Sequence, residues 1–237
     1  MRAVVGVGAC LVHALFGGRA RGTPLRRSQR TARTSRAPTG LTKDGCGPTN
    51  QFVMATDPRR QTERLHLGRV SAKGAVYFVT FVTANRTPWL ATTAAASAVL
   101  GAIKAWHAEG DGAVLAATVM PDHGHVLFAL GDRFDVGRCV SRWKTVGRRE
   151  SGYAGGWQRD FWERRVRDDE SSEDYALYIL LNPYRAGLAK RGDVWPWWWA
   201  PMPERFRFSA MLGPQGEPPD EWIDWPAERF AGLATGE

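Results

Sequence analysis

An α+β fold, an antiparallel sheet with helices on one face, is predicted by three features of this sequence. A β-branched and aromatic run, Val76 to Thr83, and a second segment, His123 to Leu130, read as buried strands. An Ala-rich stretch of helical length, Thr92 to Glu109, separates them. Pro121-Asp122 is a tight-turn dipeptide between two strand-like segments, which makes them antiparallel neighbours.

Taken in order, VYFVTFVT is apolar at nearly every position and predicts a strand buried in the middle of a sheet. The helix over Thr92 to Glu109 is stopped by Gly110-Asp111-Gly112. Val114 to Met120 pairs with His123 to Leu130 as a hairpin, and a second helix runs from Asp135 to Glu150 until Ser151-Gly152 ends it. Phe161 to Val166 is a fourth strand, and Ser171 with Asp174 makes a capping-box start for a helix that ends at Asn182-Pro183. The order β-α-β-β-α-β fits the ferredoxin-like split βαβ layout. Its first and third strands are central, which puts His123 and His125 in mid-sheet with the Asp135 helix lying across them.

The 237 residues suffice for one domain with extensions, and the formal net charge is +8. That charge is not spread evenly. Residues 1–53 hold nine Lys/Arg and one acidic residue, Asp44, which leaves 23 basic and 23 acidic residues in the remainder. Residues 1–60 therefore read as a disordered basic extension, or as sequence upstream of a true start at Met54. Ala3 to Phe16 is apolar but too short to span a membrane. Beyond Ala200, prolines and glycines predict an extended tail over 200–237, pinned by a few aromatics. Three cysteines without metal-ligand spacing are consistent with a reduced, cytoplasmic setting.

Inside the folded part, Arg133 to Arg167 carries ten Lys/Arg against four acidic residues. Such a patch is either a phosphate-binding surface or a solvated helix face. MPDHGHVLF sets His123 and His125 on one side of a strand, where they are either hydrogen-bonded core residues or two ligands for one metal ion. Gly124 between them permits a close backbone approach. The run WPWWW, Trp195 to Trp199, reads as a cover for a sheet edge.

Several of these motifs together resemble the REP-associated tyrosine transposases, within the insertion-sequence-200-like group of HUH single-strand DNA nucleases. The matching stretches are VYFVTFVTANRTPWL, VMPDHGHVLF, SRWK, WQRDFWERRVRDDE, YILLNPYRAGL and DVWPWWW, in the expected order across residues 68–199. The resemblance implies a ferredoxin-like domain in which His123 and His125 hold Mg2+ or Mn2+ and a helix-borne tyrosine attacks a DNA phosphodiester, leaving a 5′-phosphotyrosine. It implies single-stranded or hairpin DNA as partner and DNA transposition as the process, with no membrane association. The active form is a monomer or a homodimer.

Within that resemblance the nucleophile is expected on the helix after the histidine strand, two residues beyond the lysine of Trp143-Lys144, and there stands Val146. One turn later comes Glu150, the expected third metal ligand. Tyr153, in a glycine-flanked loop, is the nearest tyrosine and the candidate nucleophile. If it does not serve, the chain is a relative that binds DNA hairpins without cleaving them. Tyr175, Tyr178 and Tyr184, on the following helix or its end, read as packing residues. For phosphate contact the expectation falls on Lys144, Arg148, Arg149, Arg159, Arg164, Arg165 and Arg167.

Overall fold

The computed structural model describes residues 71–233. The predicted extension over 1–60 and the alternative start at Met54 lie outside the described residues. One five-stranded antiparallel sheet is formed by β1 (Val76–Val82), β2 (Gly112–Val119), β3 (His123–Leu130), β4 (Trp162–Arg165) and β5 (Trp198–Trp199), in the order β4-β1-β3-β2-β5. The helices are α1 (Thr93–Ala108), α2 (Val136–Ser151), α3 (Ser172–Arg185) and a single turn, α4 (Asp220–Ile223). The first four strands with α1 and α2 make the split βαβ arrangement, with β1 and β3 central.

Local chemistry sets the helix ends. Thr92 accepts a hydrogen bond from the Ala95 N–H and Asp135 accepts one from the Arg138 N–H, capping α1 and α2. Gly152, at φ 67°, closes α2 in the left-handed conformation that glycine adopts without strain. The capping box at Ser171 is not formed: the Asp174 N–H donates to the Ser171 carbonyl instead of its side chain. Nor does α3 stop at Asn182-Pro183. It runs on to Arg185 because Tyr184 is buried and anchored, donating its hydroxyl to the Asp193 carbonyl at 2.7 Å.

The sheet is buried on both faces. Tyr77, Val79, Phe81, Val126, Phe128 and Ala117 pack against α1 and α2, whereas Phe78, Leu127 and Ala116 pack against α3. A register shift between Val114 and Ala116 in β2 lets Val114 join Ala117 and Val119 on the first face. Helices were expected on one face only; α1 and α2 do share a face, and α3 covers the other. The reason is that β1 and β3 carry apolar side chains in both directions, so one helical layer leaves half of them in water.

Residues beyond 200 form short turns rather than an extended tail, and they send Phe206, Phe208, Trp222 and Phe230 into the α3 side of the core. The tryptophan run closes an edge: β5 pairs with β2, and the Trp195 indole N–H donates to the Val119 carbonyl.

Lys144 was expected on a DNA-binding surface, yet its side chain is buried. Its ammonium donates to the carbonyls of Gln158 and Asp160 at 2.9 and 3.1 Å and lies over the Phe161 ring, while the Trp157 indole N–H donates back to the Lys144 carbonyl. This clip ties α2 to the chain leading into β4. Trp157 and Phe161, which the sequence offers for base stacking, pack here against the first core.

Two consequences are measurable. A Cβ added at Gly124 would come within 2.6 Å of the Phe81 ring, so Gly124→Ala is expected to destabilise the protein by about 1–3 kcal/mol in urea denaturation. Burial holds the Lys144 ammonium down to a pKa of about 8, against an ordinary 10.5. Between those values the unfolded chain carries a proton that the folded chain has lost, so this group's contribution to stability rises with pH across that window. Wild type should gain on Lys144→Met by on the order of 2–3 kcal/mol between pH 8 and 10.5, and a pH-independent difference would contradict the burial.

Candidate functional site

Alternation along β3 puts His123, His125 and Leu127 on the α3 side of the sheet, with the two imidazole centroids 4.8 Å apart. His125 is fully buried. It sits in the middle of a lateral row that crosses all five strands: Trp162, Thr80, His125, Thr118 and Trp198 are register partners in turn. A buried imidazole requires partners for both nitrogens. Thr80 Oγ1 lies 3.0 Å from Nδ1, and Asn182 Nδ2 lies 3.1 Å from Nε2. With the Asn182 amide donating to Nε2, the His125 proton is assigned to Nδ1, where it serves Thr80. Phe78 stacks on the ring at 5.5 Å.

His123 is oriented by its neighbour in sequence. Its Nδ1 is 2.6 Å from Asp122 Oδ1, and Asp122 Oδ2 accepts from the Arg86 guanidinium at 3.0 Å. Partial burial pushes the Asp122 carboxyl upward in pKa, but the hydrogen bonds and charges of His123 and Arg86 outweigh it and hold the group below the usual value. The carboxylate is therefore ionised and accepts the hydrogen bond from Nδ1–H, which puts the ring's lone pair on Nε2 of His123.

The helix that completes the site is α3. Asn182 is buried against His125, and Tyr178, four residues earlier on the same helix face, meets the His125 ring at 5.7 Å between centroids. Among the described residues no three His, Cys, Asp or Glu side chains are arranged to hold a metal ion. The Asn182 amide oxygen, reached by turning the amide, would add the oxygen donor that a hard divalent cation prefers to two imidazole nitrogens, which are more usual ligands of softer metals. Asp122 behind one histidine and Thr80 behind the other supply the outer hydrogen bonds such ligands use.

The structure brings His123 and His125 together, but with Tyr178 and Asn182 rather than with Tyr153 and Glu150. Glu150 is exposed at the end of α2, where Arg149 binds it through Nε at 2.9 Å and NH2 at 2.7 Å. Val146 is on that same helix, across the sheet from the histidines. Tyr153 follows α2 and stacks on Trp89 at 4.8 Å, on the side of α1 and α2. Of the basic residues, Lys144 is the buried clip described above, and Arg164 is half-buried and bound to Glu170, whose second oxygen accepts the Arg167 N–H. Arg148, Arg149, Arg159, Arg165 and Arg167 are exposed. Arg165 and Arg167 flank an open cleft beside β4.

Sequence reasoning passed over Tyr178 and Asn182. The available signal was the Tyr-x-x-x-Asn spacing inside YILLNPYRAGL, with an amide placed in a helix otherwise apolar at its centre. Asp122 and Arg86 were missed because a turn aspartate and a loop arginine are ordinary surface residues until the fold joins them.

Residues 71–173 match the family model for IS200-like transposases. Over 131 residues the chain is 28% identical to the REP-associated tyrosine transposase of Escherichia coli K12, a match covering 54% of this chain and 78% of that protein. A solved structure described as a REP-associated tyrosine transposase bound to a REP hairpin superposes with a TM-score of 0.50 at 24% identity, covering 67% of this chain and 89% of that one, which supports the fold. No helix among the described residues is long and apolar enough to cross a membrane. With ordered motifs, a shared fold and a family model matching residues 71–173, the chain is similar to the IS200-like transposases and, among them, to the REP-associated tyrosine transposases.

Proposed function

We propose that this transposase-like protein cleaves and rejoins single-stranded DNA beside a hairpin, with Tyr178 as nucleophile and with His123, His125 and Asn182 holding Mg2+ or Mn2+. The observation that carries this reading is the placement of Tyr178 and Asn182, one helical turn apart, against His125. The hairpin is suggested by the related protein that was solved with one.

In the reaction, the Tyr178 oxygen forms a bond to phosphorus as the bond to the 3′ oxygen breaks. The phenolic proton leaves to solvent and the departing 3′ oxygen takes one up, so a phosphodiester is exchanged for a phosphotyrosine with no net hydrolysis. A 3′ hydroxyl then reverses the exchange and joins strands. A bound cation would draw negative charge from the phosphate as it becomes five-coordinate. The chain's own contribution is orientation: α3 is rigid, and Tyr178 is packed by Phe78, His125 and Phe230, so its hydroxyl position is set by the core rather than by a loop. Exposed Arg148, Arg159, Arg165 and Arg167 supply counter-charge for the DNA backbone.

One chain holds the histidines and its own tyrosine helix, so a monomer suffices for the chemistry. A cytoplasmic setting fits both a DNA substrate and the buried Cys139 thiol, which burial pushes up to a pKa of about 12. The alternative of a hairpin binder that cannot cleave rested on Val146, and that residue lies across the sheet from the histidines.

Incubating the protein with a labelled hairpin oligonucleotide and Mn2+, followed by a denaturing gel, tests the proposal. Wild type and Tyr153→Phe should form a covalent protein–DNA band, Tyr178→Phe none, and Asn182→Ala should slow adduct formation about 10- to 100-fold. Cleavage without an adduct would assign the attack to water. A gel shift without cleavage would leave a binding protein only.

A further inference from the structure

The loop between β1 and α1 holds two consecutive non-glycine residues in the left-handed region, Asn85 at φ 55° and Arg86 at φ 52°. They are the only such residues among the described ones. Each costs on the order of 1 kcal/mol. The loop is held in this form by the turn that precedes β3: the Thr83 N–H donates to the Asp122 carbonyl at 2.8 Å, and the Leu90 N–H donates to the Pro121 carbonyl at 2.9 Å. The Thr83 hydroxyl is within hydrogen-bonding distance of the Thr87 and Asp122 carbonyls, at 2.8 and 2.9 Å.

This strain delivers the Arg86 guanidinium to Asp122 Oδ2. An ion pair whose arginine is 54% exposed contributes about 0–1 kcal/mol, too little to offset two strained residues. The backbone hydrogen bonds hold the loop, and the ion pair has another consequence. Asp122 has two oxygens, and its side chain can turn. With Oδ2 fixed by Arg86, Oδ1 is held on His123 Nδ1, and the His123 ring is held in one tautomer and one orientation.

Resting on the metal-site reading above, we propose that Arg86 is a positioning residue: acting through Asp122, it orients His123 and strengthens the grip of the histidine pair on a divalent cation. The sign of its effect separates this role from simple electrostatics. A guanidinium near a cation site repels the cation through space, so a charge effect alone makes removal of Arg86 tighten metal binding. Positioning makes the same removal weaken it.

The test is Mn2+ binding to the full chain without DNA, read from the free Mn2+ electron paramagnetic resonance signal. Wild type should bind, and His125→Ala should abolish binding; absence of wild-type binding would overturn the metal site itself. Given that site, Asp122→Ala is expected to weaken Mn2+ affinity about 10- to 100-fold, as losses of outer hydrogen-bond partners do. Arg86→Met should weaken it by about 3- to 10-fold, being one step further removed. Arg86→Lys should recover part of that loss, and Asp122→Ala combined with Arg86→Met should bind no more weakly than Asp122→Ala alone. Unchanged or tighter binding in Arg86→Met, or additive losses in the double variant, would overturn the inference.

Discussion

A histidine placed at the centre of a sheet covered on both faces has no water to satisfy it, and the surrounding structure is organised by that requirement. Leaving one buried nitrogen unpaired costs about 1–3 kcal/mol, a large share of a domain's net stability. Thr80, the direct register partner on β1, answers one side of His125, and Asn182 on α3 answers the other. A helix covering this face with apolar side chains alone would exclude water and leave Nε2 without a donor. The amide of Asn182 is therefore as much a condition of burying the strand as it is a candidate ligand.

The same reasoning divides the molecule into a supporting side and a working side. On the supporting side, α1 and α2 pack aromatic and aliphatic groups against Val79, Phe81 and Phe128, and the Lys144 clip fixes the approach to β4. On the working side, polar groups interrupt the apolar face at Thr80, His123, His125, Thr118 and Asn182. That β3 serves both sides explains Gly124: its lack of a side chain gives Phe81 room while its two neighbours turn the other way.

Much of this architecture was legible in the sequence. The strands and helices follow from runs, turn dipeptides and caps, and the His-x-His pair marks the site because alternation on a strand is a geometric certainty once the strand is granted. The side of the sheet taken by each helix was not legible. VYFVTFVT is apolar in both phases, so it carries no alternation from which to assign α2 to one face and α3 to the other. Glu150 and Tyr153 were expected near the histidines because the resemblance put the nucleophile on the helix after β3, and the doubly apolar strands gave no phase to set against it. Tyr178 was obscured for a related reason: Tyr175 through Tyr184 are all buried, and in a helix with no exposed middle the tyrosine proposed as nucleophile has the same sequence appearance as a packing one. Only the lone amide at 182 breaks the pattern.

Carrying both Tyr178 and Asn182 on one helix also limits how this chain can change length. One residue inserted between them would rotate everything beyond it by about 100°, taking either the hydroxyl or the amide off the histidine face. The chain from 153 to 161 has no shared helical phase, and is held instead by the Lys144 clip and by its pairing with the end of β1 at Thr83 and Trp157. Length variation inside a single turn of α3 is thus incompatible with the proposed site, whatever the rest of the fold can absorb.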